Sequence, residues 1–103
     1  MDETQKEKIV NMLRLAVKAN AVALGRTAVE RNIKKSSAFI IFAGKKDNNF
    51  MKKRADICKS KDIAISHLFN DKELTNIFGR QKLTLVAIVE KNFAKGINDM
   101  LDN

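Results

Sequence analysis

The chain has 103 residues, of which 45% are hydrophobic and 31% are charged. This composition is typical of a folded globular protein rather than a disordered one. The length is about that of one domain, so we expect residues 1–103 to form a single domain with no room for a separate catalytic one. No apolar run approaches the ~20 residues of a membrane-spanning helix, and the polar N-terminus does not resemble a signal peptide. We therefore expect a cytoplasmic protein.

The net charge of +8 is concentrated in two stretches of the chain. The first basic segment, residues 11–35, and the second basic segment, residues 44–61, each have a net charge of +5. Grouped positive charge favours a polyanionic partner, and nucleic acid fits better than a membrane because neither segment is strongly amphipathic. The alternative is a basic surface that serves solubility alone. For the second segment we expect a solvated basic face that attracts RNA electrostatically. Direct phosphate contact by Lys45, Lys46, Lys52, Lys53 and Arg54 is the alternative.

The predicted elements begin with an amphipathic helix that ends at about Ala19. Thr4 and Glu7 have the spacing of a capping box at its start, and apolar residues then recur at helical spacing. Asn20 is suited to stop this helix, because asparagine tolerates a positive φ. Residues 21–23 are compatible with a short edge strand.

Three apolar runs predict the remaining strands. Residues 38–43 read Ala-Phe-Ile-Ile-Phe-Ala, a continuous run of the kind found in strands that are covered on both faces. Residues 63–68 resemble a second strand, and residues 83–89 a third, buried strand.

A long helix is predicted between the first two of these strands. It covers residues 47–61 and begins at an Asp/Asn cap. The spacing of its apolar residues predicts that Phe50, Ala55 and either Ile57 or Cys58 face the core.

Two more helices complete the chain. One begins at the cap-like pair of Asn70 and Glu73 and stops at Gly79, and the other runs from about Asn92. Helices that alternate with strands predict an α/β fold, specifically a three-layer α/β/α sandwich around a small mixed sheet of about four strands.

The segment that begins at Gly25 is the strongest functional signal. A helix N-terminus presents unpaired backbone N–H groups and the positive end of the helix dipole, which suit an anion. Arg26 and Arg31, in the first two turns, add planar charged groups that match phosphate oxygens or a guanine edge. These features predict a nucleic-acid site at the start of this helix.

The sequence offers no catalytic or metal-binding motif. Cys58 and His67 are the only cysteine and the only histidine, and neither lies at a recognisable motif spacing. We interpret Cys58 as a small buried residue and His67 as structural. The sequence therefore predicts a non-enzymatic protein without a metal or organic cofactor.

The order of these elements resembles the L-seven-Ae/L-thirty-e superfamily of ribosomal and kink-turn-RNA-binding proteins. Residues 18–25, Lys-Ala-Asn-Ala-Val-Ala-Leu-Gly, carry this resemblance together with the following helix and the strand at 39–43. Residues 72–79 and 85–96 are similar to the bacterial ribosomal-protein-like branch of the superfamily. The resemblance extends over nearly the whole chain from about Ile9.

This resemblance implies an RNA surface with two parts, the start of the helix after Gly25 and the loop at residues 79–83. It implies a bacterial RNA-binding protein that associates with ribosomes or binds structured, kink-turn-like RNA, and nothing demands more than a monomer. Leu83 has an alternative role as the first strand residue in the core. The candidate RNA-binding residues are Lys18, Asn20, Gly25, Arg26, Thr27, Arg31, Arg80, Gln81, Lys82 and Leu83.

The chain departs from the superfamily pattern at one position that matters for base recognition. Relatives that read kink-turns carry an Asn-Glu pair shortly after the glycine and a Lys one turn later. In this chain Thr27 and Ala28 occupy the positions of the Asn-Glu pair, and Arg31 occupies the position of the Lys. The methyl group of Ala28 makes no hydrogen bond, and loss of a bidentate base contact costs on the order of 1–3 kcal/mol. A protein-interaction module that has lost kink-turn readout is therefore the competing hypothesis.

Overall fold

A computed structural model describes residues 3–45 and 47–101 of the chain. Helices and strands alternate along these residues, as the apolar runs and caps predict. In chain order the elements are α1 (Glu3–Lys18), β1 (Val22–Leu24), α2 (Arg26–Lys34), β2 (Ile40–Ala43), α3 (Asn49–Lys52), α4 (Ala55–Ser60), β3 (Ala64–Ser66), α5 (Asp71–Phe78), β4 (Leu85–Ile88) and α6 (Lys91–Leu101).

The four strands form one mixed sheet in the order β1-β4-β2-β3. β2 and β3 run parallel, whereas β4 runs antiparallel to both β1 and β2. Ala87 lies at the centre of the sheet, where it is paired with Ala23 on one side and Ile41 on the other. β1 is an edge strand, which confirms the prediction for this short segment.

Helices cover both faces of the sheet and give it two separate cores. Ile41 and Leu85 belong to the core that contains Val29 of α2, while Ile40 and Val86 belong to the opposite one. Side chains alternate between the faces because a strand has a period of two residues. The α2, α3 and α4 helices supply one outer layer, and α1, α5 and α6 supply the other. The predicted α/β/α sandwich is therefore confirmed, and β2 and β4 are buried along their whole length.

The predicted stop and start signals of two helices are also confirmed. Asn20 has a φ of 57°, two residues after α1 ends at Lys18. Asn70 and Glu73 form a reciprocal capping box at the start of α5, and Gly79 ends that helix in the left-handed region with a φ of 64°.

Two details of the predicted helices are wrong. α1 already includes Glu3, so Thr4 lies within the helix and does not cap it. Residues 47–61 form two short helices, because the backbone at Arg54 (φ −110°, ψ 5°) departs from helical geometry. The Asn48 side chain caps the first of them, as expected from the Asp/Asn start.

The inward face of this segment also differs from the prediction. Phe50 and Cys58 are buried, as expected. Ala55 is exposed, and Ile57 is 40% exposed, on α4, so Cys58 rather than Ile57 faces the core.

Candidate nucleic-acid interface

The turn between β1 and α2 is built on Gly25. Its φ of 89° and ψ of 168° lie in a region that essentially only glycine adopts. The Gly25 N–H donates to the Leu85 carbonyl oxygen at 2.9 Å, which fixes the turn against the start of β4. No side chain in the described part of the chain caps α2. The first backbone N–H groups of this helix therefore remain available to solvent or to a ligand.

The loop before β4 is anchored by Thr75, a residue that the sequence does not single out. The Thr75 carbonyl oxygen accepts from the Arg80 N–H at 3.3 Å, and the Thr75 hydroxyl accepts from the Leu83 N–H at 3.2 Å. Between these two anchors, Lys82 adopts a positive φ of 56°. The loop thus has a defined conformation although Gln81 and Lys82 are exposed.

Arg80 joins this loop to the Gly25 turn. Its guanidinium Nη1 donates to the Leu24 carbonyl oxygen at 3.4 Å, across 56 positions of sequence. Leu24 directly precedes Gly25, so the two predicted parts of the RNA surface meet in space. We call this region the Gly25–Arg80 surface; it consists of residues 25–27, residue 31 and residues 80–82.

The side chains of this surface face solvent. Arg26, Thr27 and Arg31 are exposed on α2, and Thr27 and Arg31 lie on the same helix face because they are four positions apart. Arg80, Gln81 and Lys82 are exposed in the loop. Arg31 has no ion pair with any carboxylate in residues 3–45 and 47–101.

Three of the candidate residues do not belong to this surface. Leu83 is 3% exposed and packs in the core beneath α1, α5 and α6, so its side chain offers no face to a base. Lys18 and Asn20 precede β1, whereas Gly25 follows it. The Ala21 carbonyl oxygen accepts from the Val89 N–H, which places this end of β1 beside the far end of β4. Since three strand residues span about 10 Å, Lys18 and Asn20 lie well away from Arg80.

The ring of Phe50 contacts two arginines, a cluster that the sequence does not reveal. The guanidinium carbon of Arg26 lies 5.2 Å from the ring centroid, and that of Arg54 lies 3.5 Å from it. Arg54 also donates to the Phe50 carbonyl oxygen at 2.8 Å and to Glu30 Oε1 at 2.6 Å. The bond from Arg54 lowers the pKa of the Glu30 carboxyl, which is therefore ionised at neutral pH.

Several cations of the second basic segment have structural partners, so the prediction of a solvated face holds for only part of it. Lys61 Nζ donates to the Ile33 and Lys34 carbonyl oxygens at 2.9 and 3.1 Å, at the C-terminal end of α2. Lys45 Nζ lies 3.9 Å from Asp71 Oδ2. Lys52, Lys53 and Lys59 are exposed, and Lys46 lies outside the described residues.

The side chains that could otherwise serve in catalysis or metal binding have structural surroundings. The Cys58 thiol is buried, and burial raises its pKa. His67 Nδ1 lies 3.0 Å from the Ala43 carbonyl oxygen. No group of three or more His, Cys, Asp or Glu side chains is arranged for a metal ion among the residues described. None of the helices in that part of the chain combines the length and apolar character that crossing a bilayer requires.

Comparison with known proteins gives one named relative and a shared fold. No protein-family model matches the chain. The chain is 26% identical over 103 residues to the RNA-binding protein YlxQ of Enterococcus faecium, and the alignment covers 99% of each protein. A solved structure of a Bacillus halodurans protein of unknown function matches with a TM-score of 0.82 and 18% identity, over 93% of this chain and 98% of that one. The α/β/α fold is thus that of a known structure, and an RNA-binding protein is a full-length relative.

Proposed function

We propose that the protein binds structured RNA through the Gly25–Arg80 surface. The observation that carries this proposal is the hydrogen bond from Arg80 to Leu24, which joins two exposed cationic stretches at an uncapped helix start. The named relative, an RNA-binding protein that aligns over its full length, supports it. We further propose membership of the L-seven-Ae/L-thirty-e superfamily, and a monomeric, non-enzymatic role in the bacterial cytoplasm on ribosomal or other kink-turn-like RNA.

Each part of the surface has a distinct role in the proposed mechanism. The backbone N–H groups at the start of α2, together with Arg26 and Arg80, bind phosphates of a bent RNA strand. Arg31 and Thr27 face the bases, where a guanidinium donates to guanine O6 and N7. Ala28 is half-buried against the core of the α2 layer and contributes no polar group. Relatives that carry the Asn-Glu pair can use it to hydrogen-bond the sheared G·A base pairs of a kink-turn. Recognition by this protein therefore depends more on the shape of the RNA backbone than on those base pairs.

Binding of a labelled kink-turn RNA and of a fully paired duplex of equal length tests this proposal. We expect the kink-turn to bind more tightly, with a log–log salt slope of roughly −0.7 to −0.9 per neutralised phosphate. Arg31→Ala should weaken binding about 5- to 10-fold, whereas Lys95→Ala, an exposed cation on α6, should change it less than about twofold. Salt-insensitive RNA binding, or equal affinities for Arg31→Ala and wild type, would contradict the proposal. The competing protein-interaction module predicts no RNA binding and salt-insensitive binding of a protein partner. Crosslinking in cells followed by sequencing identifies the natural RNA.

A further inference from the structure

The ring of Phe50 links the RNA-facing helix to the helix pair behind it. Phe50 is 8% exposed, so its ring is held by packing. Its helix, α3, is fixed at the start by Asn48, whose Oδ1 accepts from the Met51 N–H at 3.1 Å. Arg26 and Arg54 both lie within cation–π distance of this ring.

The two arginines differ in how their charge is compensated. Arg54 is paired with Glu30 at 2.6 Å, and its bond is the main cause that lowers the pKa of that carboxyl, with weaker attraction from Lys34 and Arg26. Arg26 has no ion pair in the described parts of the chain, and its side chain is exposed. The Phe50 ring thus contacts one arginine that is ion-paired and one that is exposed and has no ion pair among the described residues.

We infer that Phe50 is a positioning residue for RNA binding. Its ring holds the Arg26 guanidinium beside the free N–H groups of α2 before RNA arrives, and the Glu30–Arg54 pair keeps α3 and α4 against α2. An arginine that is ordered in advance loses less side-chain entropy when it meets a phosphate. This inference rests on the proposed function, but it assigns roles to Phe50, Glu30 and Arg54 that RNA contact alone does not give them.

A double-mutant cycle between Phe50 and Arg26 tests the inference, with the labelled kink-turn RNA and the paired duplex as probes. Phe50→Leu keeps an apolar side chain but removes the ring, and it should weaken kink-turn binding about threefold. Arg26→Ala should weaken it about fivefold. Because Phe50 acts through Arg26, the double variant should bind as Arg26→Ala does. Phe39→Leu, at the other end of the sheet, is the matched control and should retain wild-type affinity.

NMR of the free protein tests whether the Phe50 ring and the Arg26 side chain are in contact before RNA binds. The Arg26 side-chain protons should show an aromatic ring-current shift in the wild type that disappears in Phe50→Leu while the backbone amide shifts of α2 remain. Phe50→Met, whose flexible unbranched side chain can fill an irregular space, replaces Phe50→Leu in both measurements if that variant is unstable. If the wild type binds RNA but the two losses multiply, or if the ring-current shift is absent, the inference is overturned and the proposed function stands. If the wild type binds neither RNA, the proposed function fails and the inference fails with it.

Discussion

The two basic segments carry equal net charge, but the structure uses their cations in different ways. In the first, Arg26 and Arg31 face solvent on a helix whose N-terminal end is uncapped. In the second, Arg54 binds Glu30 and the Phe50 carbonyl oxygen, and Lys61 binds two carbonyl oxygens at the end of α2. The second segment therefore has fewer cations free for a polyanion than its net charge of +5 suggests.

The difference between structural and solvent-facing cations is visible at the two ends of α2. At the C-terminal end of α2, Lys61 donates to the Ile33 and Lys34 carbonyl oxygens and complements the negative end of the dipole. At the N-terminal end, Gly25 has no side chain that could accept from the first N–H groups, and no side chain among the described residues takes its place at the positive dipole end. A cation of the second segment thus stabilises the helix that presents the first segment. Net charge per segment does not distinguish a structural cation from a binding one; the acceptors around each cation do.

Removing two cations from each segment in turn should give the largest difference in RNA affinity that we predict. Arg26→Gln combined with Arg31→Gln should lower affinity for the kink-turn RNA about 10- to 100-fold, because two contacts to phosphate or base are lost. Lys52→Gln combined with Lys53→Gln removes the same charge from exposed positions on the second segment. We expect less than about a threefold loss there, from weaker long-range attraction alone. Binding titrations at fixed salt measure both, and equal losses would mean that RNA binding depends on net charge and not on the Gly25–Arg80 surface.

Folding stability should depend on which cations of the second basic segment have structural partners. Arg54→Met should lower the Tm by about 4–8 °C, because the variant loses the bonds to Glu30 and to the Phe50 carbonyl group and the contact with the Phe50 ring. Lys53→Met, at the neighbouring exposed position, removes the same charge and should change the Tm by about 1 °C or less. Calorimetric melts in the absence of RNA measure both variants. Equal Tm values for the two would show that Arg54 is as dispensable to the fold as its neighbour.

Much of the fold was predictable because its signals are local. The strands β2 and β4 are continuous apolar runs, and burial on both faces requires such runs. The capping box of Asn70 and Glu73 needs only a spacing of three residues, and Gly79 needs only its own freedom to adopt a positive φ. The resemblance to a known superfamily added the expectation that the Gly25 helix start and the loop at residues 79–83 lie together.

The features that were missed depend on contacts between distant residues. The break at Arg54 accompanies a bond to Glu30, 24 positions away, and helical periodicity contains no information about that partner. Lys18 and Asn20 lie far from Arg80 because β1 pairs antiparallel with β4, a register that only the assembled sheet reveals. For Leu83 the sequence left an RNA contact and a core position open, and contact with the core shared by α1, α5 and α6 decides for the core.

The Glu30–Arg54 pair joins the two segments, and its response to pH is the smallest effect that we predict. The bond from Arg54 holds the pKa of Glu30 below its ordinary value of 4.5 in the folded protein. A carboxyl group whose pKa is lower in the folded state stabilises the fold above its unfolded pKa, and this contribution is lost as the pH falls through the folded value.

Glu30→Gln should therefore have a Tm about 1–2 °C below that of the wild type at pH 7, a small difference because the pair is partly exposed. Melts at several pH values should show this gap narrow as the pH falls below 4.5, whereas Glu7→Gln, an exposed control on α1, should follow the wild type throughout. If the Tm difference between Glu30→Gln and the wild type stays constant with pH, the loss of stability comes from packing. The contact between the two segments would then not depend on the charge of Glu30.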